Sequence, residues 1–251
     1  MNKIELFNSN FPDATKHLSN QSIDLIVTDP PYGVNFKQTF YDDSTEYVLD
    51  NVNHWFHEMF RLLKQNSLLY MFVGVMQIHN FIQAGIDAGF EYKNILAVRN
   101  FNNGSKRAKN NFSFNFQPVL VFSKGKARNL NNVDAIPTSD GWYNDKRNKN
   151  PNRFTYEYSN WFKTDWFYAT AKRAKGSLHP NEKNVDFIKF LIEISSDEDN
   201  VILDPFMGSG TTGVSAAKAK RNFIGVESDT SYYNIAKERI DKVNESNARS
   251  A

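Results

Sequence analysis

Residues 201–213 read Val-Ile-Leu-Asp-Pro-Phe-Met-Gly-Ser-Gly-Thr-Thr-Gly, a short apolar run that leads into a glycine-rich turn. The run predicts a buried strand, and the turn predicts the start of a helix. Glycines let a backbone approach a ligand closely, and a helix N-terminus favours the anionic part of that ligand. Glu227 ends the next predicted strand, where a carboxylate can accept hydrogen bonds from ribose hydroxyl groups. The stretch therefore predicts a nucleotide-type ligand site.

The rest of the chain alternates between strand and helix patterns. Apolar runs predict strands at residues 4–7, 23–28, 67–73, 92–99, 117–123, 201–203 and 223–227. Apolar residues at helical spacing predict helices at residues 44–64, 77–88, 181–195, 211–220 and 232–243, with a frayed end at 244–251. Such alternation predicts an α/β fold with a mainly parallel, twisted sheet and helices on both faces, of the Rossmann-like kind.

Composition excludes several classes of protein. Of the 251 residues, 40% are hydrophobic and none is Cys, which excludes wholesale disorder, disulfide bonds, Cys-ligated metals and a thiolate nucleophile. His54 and His57 have contexts typical of packing or surface positions, His17 and His79 stand alone, and His179 belongs to a motif, so we predict no metal site. No apolar run approaches the roughly 20 residues that cross a bilayer, and the N-terminus lacks a signal-peptide pattern. We expect a soluble, cytoplasmic protein that does not enter a membrane.

A second motif, Asp29-Pro30-Pro31-Tyr32, directly follows the apolar run at 23–28. The two prolines fix the turn and remove two backbone donors, which leaves carbonyl oxygens to accept hydrogen bonds. A carboxylate, such carbonyls and an aromatic face suit a planar ring that carries an amino group. Asp29 and the Pro30 carbonyl would accept the amino hydrogens, and Tyr32 would stack on the ring. Because both motifs end strands of one predicted parallel sheet, we expect them at the same edge.

Basic residues concentrate in the middle of the chain. Between Arg99 and Lys183 there are 16 Lys or Arg and 6 Asp or Glu, together with three of the four Trp. This mixture suits binding of nucleic acid, although the charge alone fits a solvated basic surface equally well. The predicted phosphate contacts form two clusters: Lys106, Arg107 and Lys109, and Lys146, Arg147, Lys149 and Arg153.

The glycines at 208, 210 and 213 also match the Gly-x-Gly-x-x-Gly fingerprint of dinucleotide-binding proteins. That fingerprint places its first glycine directly after the strand, whereas residues 204–207 intervene here. A nicotinamide-dependent oxidoreductase is therefore an alternative from another class. A DNA-binding module without catalysis is a further alternative, which the intact motif at 29–32 disfavours.

The order of these motifs resembles the β class of S-adenosylmethionine-dependent DNA amino methyltransferases, a permuted class in which the catalytic motif precedes the cofactor motif. Residues 29–32 resemble the catalytic motif, and residues 204–212 resemble the cofactor motif. His179-Pro180-Asn181-Glu182-Lys183 resembles the HPxxKP element of the family, with Asn184 in place of the second proline. The resemblance implies S-adenosylmethionine as cofactor, bound by Asn10, Phe11, Asp29, His179, Lys183, Asp204, Phe206, Gly208, Ser209, Gly210, Thr211 and Glu227. Asn10 stands where family members often carry Asp.

The resemblance further implies methyl transfer to the N6 amino group of adenine in double-stranded DNA. Asp29, Pro30, Pro31 and Tyr32 are then the catalytic residues. Family enzymes that methylate cytosine N4 usually carry Ser at position 29, so adenine is favoured and cytosine N4 is the alternative. Residues 1–98 and 179–251 would form the catalytic and cofactor-binding core, and 99–178 the inserted segment that recognises the target. A homodimer and a cognate restriction endonuclease are the expected protein partners.

Overall fold

The computed structural model describes residues 2–33, 42–99, 116–131 and 183–249. Seven strands within these ranges form one sheet, in the order β1-β7-β6-β2-β3-β5-β4. Their bounds are β1 Ile4–Asn8, β2 Ile23–Thr28, β3 Leu63–Phe72, β4 Glu91–Arg99, β5 Phe116–Ser123, β6 Val201–Asp204 and β7 Asn222–Glu227. The helices are α1 Thr45–Leu62, α2 Ile78–Asp87, α3 Val185–Ser195, α4 Thr211–Lys218 and α5 Thr230–Arg249.

Helices cover both faces of the sheet, because each central strand sends alternate apolar side chains to opposite sides. Ile26 of β2 joins a buried cluster with the apolar faces of α1 and α2. Leu25 and Val27 of the same strand join a second cluster with α3, α4 and α5. A strand that is buried on both faces reads as a continuous apolar run, as the stretch 23–28 does. The predicted α/β fold with helices on both faces is confirmed.

The strands β1, β7, β6, β2 and β3 are parallel to their neighbours in that order. Their carboxyl ends therefore lie at one edge of the sheet, where ligands bind in open α/β folds. The residues that end these strands are Asn8, Glu227, Asp204, Thr28 and Phe72. Both sequence motifs follow strands of this parallel set, so the predicted common edge is confirmed.

The strands β4 and β5 are antiparallel and extend the sheet beyond β3. β5 lies within the stretch 99–178 that the sequence assigns to target recognition, yet it pairs with the core strand β3. The residues after β5 also contact the core, because Arg128 donates to both carboxylate oxygens of Asp197 at 3.2 and 3.1 Å. Residues 116–131 thus pack as part of the core, while 100–115 and 132–182 lie outside the described residues.

The helix α1 ends earlier than the sequence predicts, and β3 follows it without a loop. The prediction carried the helix to Lys64, whereas it ends at Leu62 and the strand starts at Leu63. The buried ammonium of Lys124 accounts for this, since it donates to the carbonyl oxygens of Phe60 at 2.6 Å and Leu63 at 2.8 Å. Burial lowers the pKa of Lys124. The ammonium of Lys124, which directly follows β5, therefore satisfies carbonyl groups at and just after the end of α1.

The helix α5 extends to Arg249, so the predicted frayed end from residue 244 was wrong. Polar side chains of its last turns hydrogen-bond to the body of the protein. Asn244 donates to the carbonyl of Asn2 at 3.2 Å, and Asn247 donates to the carbonyl of Ala217 at 2.7 Å. These contacts bring together residues far apart in the chain, so the helical pattern alone could not reveal them.

Substitution of Gly213 tests how tightly α4 and α5 pack against each other. A Cβ atom at this position would collide with Ile240 of α5 and lie 2.7 Å from the Phe223 ring. We expect Gly213→Ala to lower the free energy of unfolding by about 1–3 kcal/mol through overpacking, although Ala is favoured over Gly in an open helix. Urea unfolding measures this, with the exposed Lys218→Ala of the same helix as control. A variant as stable as the wild type would contradict the packing.

Candidate active site

The two motifs meet through a buried hydrogen bond between neighbouring strands. β2 pairs with β6, so Thr28 and Asp204 end adjacent strands. The Thr28 hydroxyl donates to Asp204 Oδ1 at 2.9 Å, and both side chains are buried. Asp29 follows Thr28 directly, while the glycine-rich loop begins at Asp204. The loops of the two motifs are therefore held side by side.

The loop at 29–33 is fixed by a carboxylate that the sequence analysis did not find. Asp43 is buried, and its Oδ1 accepts the backbone N–H groups of Tyr32 at 2.7 Å and Gly33 at 2.8 Å. The Thr45 hydroxyl donates to the Gly33 carbonyl at 2.6 Å. Gly33 has φ +67°, a conformation that favours glycine. No local sequence pattern identifies Asp43, because its partners lie ten and eleven residues earlier in the chain.

The catalytic candidates contact one another directly. The Tyr32 phenol donates to Asp29 Oδ1. The Lys183 ammonium lies 2.9 Å from Asp29 Oδ2 and donates to the Tyr32 hydroxyl at 3.1 Å. The Asp29 and Lys183 side chains are 29% and 20% exposed, so the carboxylate remains within reach of a ligand. The predicted stacking of Tyr32 on a base stays a prediction, since its hydroxyl here orients Asp29.

The absence of a side chain has a different physical consequence at each of the three glycines of the fingerprint. A Cβ atom at Gly208 would meet no described atom within 4 Å, so this glycine leaves open space at the loop. A Cβ atom at Gly210 would lie 2.8 Å from the Cβ of Ala236 in α5, and Gly213 also faces that helix. The expectation that the glycines admit a ligand therefore fits Gly208. At Gly210 and Gly213 the missing side chain makes room for α5, and their contact with a ligand stays a prediction.

Glu227 lies beside the open glycine, as the sequence predicts. Its Oε2 accepts the backbone N–H of Gly208 at 2.9 Å, and its Oε1 accepts that of Asp229 at 2.8 Å. Burial raises the pKa of Glu227, and the two backbone donors oppose that shift. Each carboxylate oxygen keeps a further lone pair that can accept a hydroxyl proton. The geometry is thus compatible with the predicted contact to a ribose.

Phe206 of the glycine-rich loop packs against two aromatic side chains. Phe206 is half-buried, with its ring centroid 5.6 Å from that of Phe11 and 4.9 Å from that of Trp55, both edge-on. Asn10 is exposed and precedes Phe11, while the N–H of Ser9 donates to the Glu227 carbonyl at 3.1 Å. The structure therefore brings the predicted residues Asn10, Phe11 and Phe206 to the edge occupied by Glu227.

Other predicted cofactor residues lie beneath the loop and support it. Asp204 is buried, and its Oδ1 also accepts the N–H of Phe206 at 3.1 Å. Burial raises the pKa of Asp204 to about 7, against the lowering effect of hydrogen bonds from Thr212, Thr28 and Phe206. Ser209 is buried too, and Arg239 donates to its carbonyl at 2.6 Å and its hydroxyl at 2.9 Å. Thr211 is buried as the first residue of α4.

Several predicted residues fall outside the described ranges. They are His179, Lys106, Arg107, Lys109, Lys146, Arg147, Lys149 and Arg153. Their assigned contacts with cofactor and DNA therefore stay predictions. Within residues 2–33, 42–99, 116–131 and 183–249, no three His, Asp or Glu side chains are grouped so that they could hold a metal ion. The helices in those ranges include none with the length and apolarity needed to cross a membrane.

Comparison with known proteins decides the family. A family model described as DNA methylase matches residues 23–238. The chain belongs to the DNA methylase family. The resemblance to DNA methyltransferases is thus confirmed, while its assignment to the β class stays a prediction. Family membership removes the support for a nicotinamide-dependent oxidoreductase.

Two curated relatives match most of this DNA methylase. Type II methyltransferase M.HpaI of Haemophilus parainfluenzae is 30% identical over 241 residues, which cover 93% of this chain and 73% of the relative. The DNA adenine methyltransferase YhdJ of Escherichia coli strain K12 is 26% identical over 234 residues, or 90% and 79% of the two chains. Both alignments span the two motifs, because they cover nearly the whole chain.

Solved structures share the fold at lower sequence identity. The M1.HpyAVI–SAM complex superposes with a TM-score of 0.63 at 24% identity, covering 94% of this chain and 99% of that one. The cytosine-N4-specific PvuII DNA methyltransferase superposes with a TM-score of 0.68 at 18% identity, covering 97% and 90%. These similarities agree with the seven-stranded sheet seen in the described residues.

The raised pKa of Asp204 makes a prediction about stability. The folded state holds this proton more tightly than the unfolded state, so stability falls as pH rises from about 4 to about 7. Asp204→Asn keeps an acceptor for Thr28 and removes the ionisation. Relative to the wild type, its free energy of unfolding should rise by about 2–3 kcal/mol between pH 5 and pH 8.

Urea unfolding at pH 5 and pH 8 measures this difference. Thr28→Val serves as the matched control, because it removes a hydrogen bond to Asp204 and leaves the carboxyl group in place. The control should keep a fall in stability with rising pH, displaced to somewhat higher pH, because the lost hydrogen bond no longer lowers the pKa of Asp204. A constant difference between Asp204→Asn and the wild type at the two pH values would contradict a buried, proton-retaining Asp204.

Proposed function

We propose that this DNA methylase transfers a methyl group from S-adenosylmethionine to the N6 amino group of adenine in double-stranded DNA. The observation that carries the proposal is the buried hydrogen bond from Thr28 to Asp204. It places the loop that carries Asp29 beside the glycine-rich loop, so a donor on one and an acceptor on the other can meet. Methyl transfer between two bound molecules depends on such proximity and alignment.

The residues around Gly208 fit S-adenosylmethionine. Gly208 leaves open space at the loop, and Glu227 next to it offers carboxylate oxygens for the ribose hydroxyl groups. The half-buried Phe206 provides an aromatic edge for the adenine ring, and the exposed Asn10 can accept a hydrogen bond from the adenine amino group. The M1.HpyAVI structure, named as a SAM complex, supports this assignment. The bound cofactor supplies an activated methyl group on a sulfonium.

Asp29 is proposed to receive the target amino group. An exocyclic amine conjugated to a ring is a poor nucleophile, and a hydrogen bond to a carboxylate raises the electron density on its nitrogen. Asp29 would thus orient and polarise the amine, and the proton leaves after the methyl has been transferred. The Pro30 carbonyl would accept the second amino hydrogen. The target base would be flipped out of the duplex, since the reacting atom is buried in the base stack, and would stack on Tyr32.

Adenine is proposed over cytosine on the identity of residue 29. The family resemblance associates Asp at this position with adenine N6 and Ser with cytosine N4. The relative YhdJ is named a DNA adenine methyltransferase, which supports the choice. The neighbour named cytosine-N4-specific keeps N4 methylation as the alternative. The two products differ in mass and base, so nucleoside analysis separates them.

The basic stretch between the motifs is proposed to contact DNA. The two clusters at 106–109 and 146–153 would pair with phosphates, and residues 99–178 would include the target-recognition segment. Type II relatives such as M.HpaI support a role beside a cognate restriction endonuclease. The homodimer expected from the family resemblance stays a prediction.

Incubation of the protein with unmethylated genomic DNA and S-adenosylmethionine tests the proposal. Mass spectrometry of the digested DNA should find N6-methyladenine. Asp29→Ala should lower methyl transfer by at least about 100-fold while S-adenosylmethionine and DNA still bind, because the lost contact acts mainly in the transition state. The control is Asp87→Ala, an exposed carboxylate on α2.

Three outcomes would contradict the assignment. N4-methylcytosine as the product would replace adenine by the alternative base. Near-normal turnover of Asp29→Ala would remove Asp29 from the mechanism. An equal loss in Asp87→Ala would trace the effect to general destabilisation rather than to the site.

Glu227 provides a test of the cofactor alone. S-adenosylmethionine should raise the melting temperature of the wild type by mass action. Glu227→Gln should weaken cofactor affinity by about 10-fold or more, since a charged acceptor gives the stronger hydrogen bonds. Calorimetry measures the affinity, with the exposed Glu238→Gln of α5 as control. Stabilisation by NAD in place of S-adenosylmethionine would contradict the proposed cofactor.

A further inference from the structure

Lys183 belongs to a sequence element that the family resemblance assigns to the cofactor, but its side chain lies at the catalytic loop. Its ammonium nitrogen is 2.9 Å from Asp29 Oδ2 and 3.1 Å from the Tyr32 hydroxyl. The same nitrogen lies 5.0 Å from the centroid of the Phe72 ring, within the range of a cation–π contact. The ammonium thus contacts both the loop and the end of β3.

The chain holds Lys183 in this place through the start of α3. Asn184 is the N-cap of that helix, and its Oδ1 accepts the N–H groups of Asp186 at 2.8 Å and Phe187 at 3.1 Å. The Phe187 ring packs edge-on against Phe72 with centroids 6.3 Å apart. The residue that departs from the family element therefore caps a helix anchored on β3. Lys183 directly precedes this fixed point.

We propose that Lys183 is a positioning residue for methyl transfer: its ammonium fixes the Asp29 carboxylate and the Tyr32 phenol in the arrangement that receives the target amino group. The proposal rests on the proposed function and concerns the step after cofactor and DNA have bound. Tyr32 engages one carboxylate oxygen of Asp29 and Lys183 engages the other. The carboxylate cannot rotate without losing one of them, and each oxygen keeps a lone pair for the amine.

Charge separates this role from cofactor binding. The methyl donor carries a sulfonium at the reacting centre and a carboxylate on its methionyl part, so a lysine that binds the cofactor would pair with that carboxylate, whereas the Lys183 ammonium lies 2.9 Å from Asp29 Oδ2. The same ammonium opposes the positive charge that develops on the attacking amine. A net loss of rate on removing Lys183 would therefore show that positioning outweighs this repulsion, and a net gain would show the reverse.

Lys183→Met, which has a similar length and no charge, is the main test. Its methyl-transfer rate, measured in a single turnover with both ligands saturating, should fall about 10- to 100-fold, the usual cost of a misplaced reacting group. Its affinities for S-adenosylmethionine and for DNA, measured by calorimetry and filter binding, should match the wild type. Lys183→Arg keeps a cation with several donors and should recover part of the lost rate.

Lys189→Met is the matched control. Lys189 is partly exposed on α3 and pairs with Glu193 at 2.6 Å, so it has a comparable ion pair without contact to the catalytic loop. Its rate and affinities should equal those of the wild type. In Tyr32→Phe, Lys183 loses one of its two acceptors. The fold-loss of methyl-transfer rate in the double variant of Tyr32→Phe and Lys183→Met should therefore be smaller than the product of the fold-losses in the two single variants.

The outcomes distinguish the two proposals. Wild-type protein that methylates no DNA would overturn the proposed function and the Lys183 role with it. An active wild type with a Lys183→Met variant that loses cofactor affinity at an unchanged saturated rate would overturn positioning alone and return Lys183 to the cofactor. A Lys183→Met variant whose methyl-transfer rate equals that of Lys189→Met, or exceeds that of the wild type, would also overturn the positioning role. If Lys183→Met fails to fold, a double-mutant cycle of Lys183→Arg and Tyr32→Phe replaces it, and the same rate and affinity criteria then apply.

Discussion

The hydrogen bond between Thr28 and Asp204 joins the two halves of the candidate site, and most other contacts there serve to keep those halves fixed. It connects strands whose loops are separated by more than 170 residues in the chain. A hydrogen bond of this kind contributes about 1 kcal/mol net, but leaving either buried group unpaired would cost more. The bond therefore specifies which strands meet, in addition to stabilising them. Asp43 fixes one loop from outside, and Arg239 fixes the other from α5.

Ionisable side chains at the site fall into two groups by exposure. The buried ones, Asp43 and Asp204, have oxygens committed to backbone N–H groups or hydroxyls that hold the loops. The partly exposed ones, Asp29, Lys183 and Glu227, keep donors or lone pairs that a ligand can reach. Burial makes an ionised group costly unless it is paired. The loops are thus shaped by residues that water does not reach, and the chemistry is left to residues that it does.

The sequence predicted the fold and the meeting of the two motifs because both depend on local patterns. Apolar runs and helical spacing define the elements, and parallel strands bring their carboxyl ends together. Contacts between distant segments escaped prediction, as Asp43 and Lys124 show. The packing role of Gly210, which makes room for a helix, also escaped prediction. Lys183 was found by its motif, whereas its contact with Asp29 became visible only in three dimensions. The basic clusters lie outside the described residues, so their roles rest on composition.

The contact of Asn2 with Asn244 holds the start of the first strand beside the last helix, and its contact with Ala217 holds it beside α4. Segments that are far apart in the chain thus lie side by side, and β1 pairs with β7 at the edge of the sheet. These neighbouring segments could be joined by a short linker, and new chain ends could be made in an exposed loop elsewhere. The order of the motifs along the chain would then change, while every strand pairing would remain. Circular permutation should therefore cost this architecture little stability. Whether the catalytic or the cofactor motif comes first is a property of the connections and leaves the chemistry of the assembled edge unaltered.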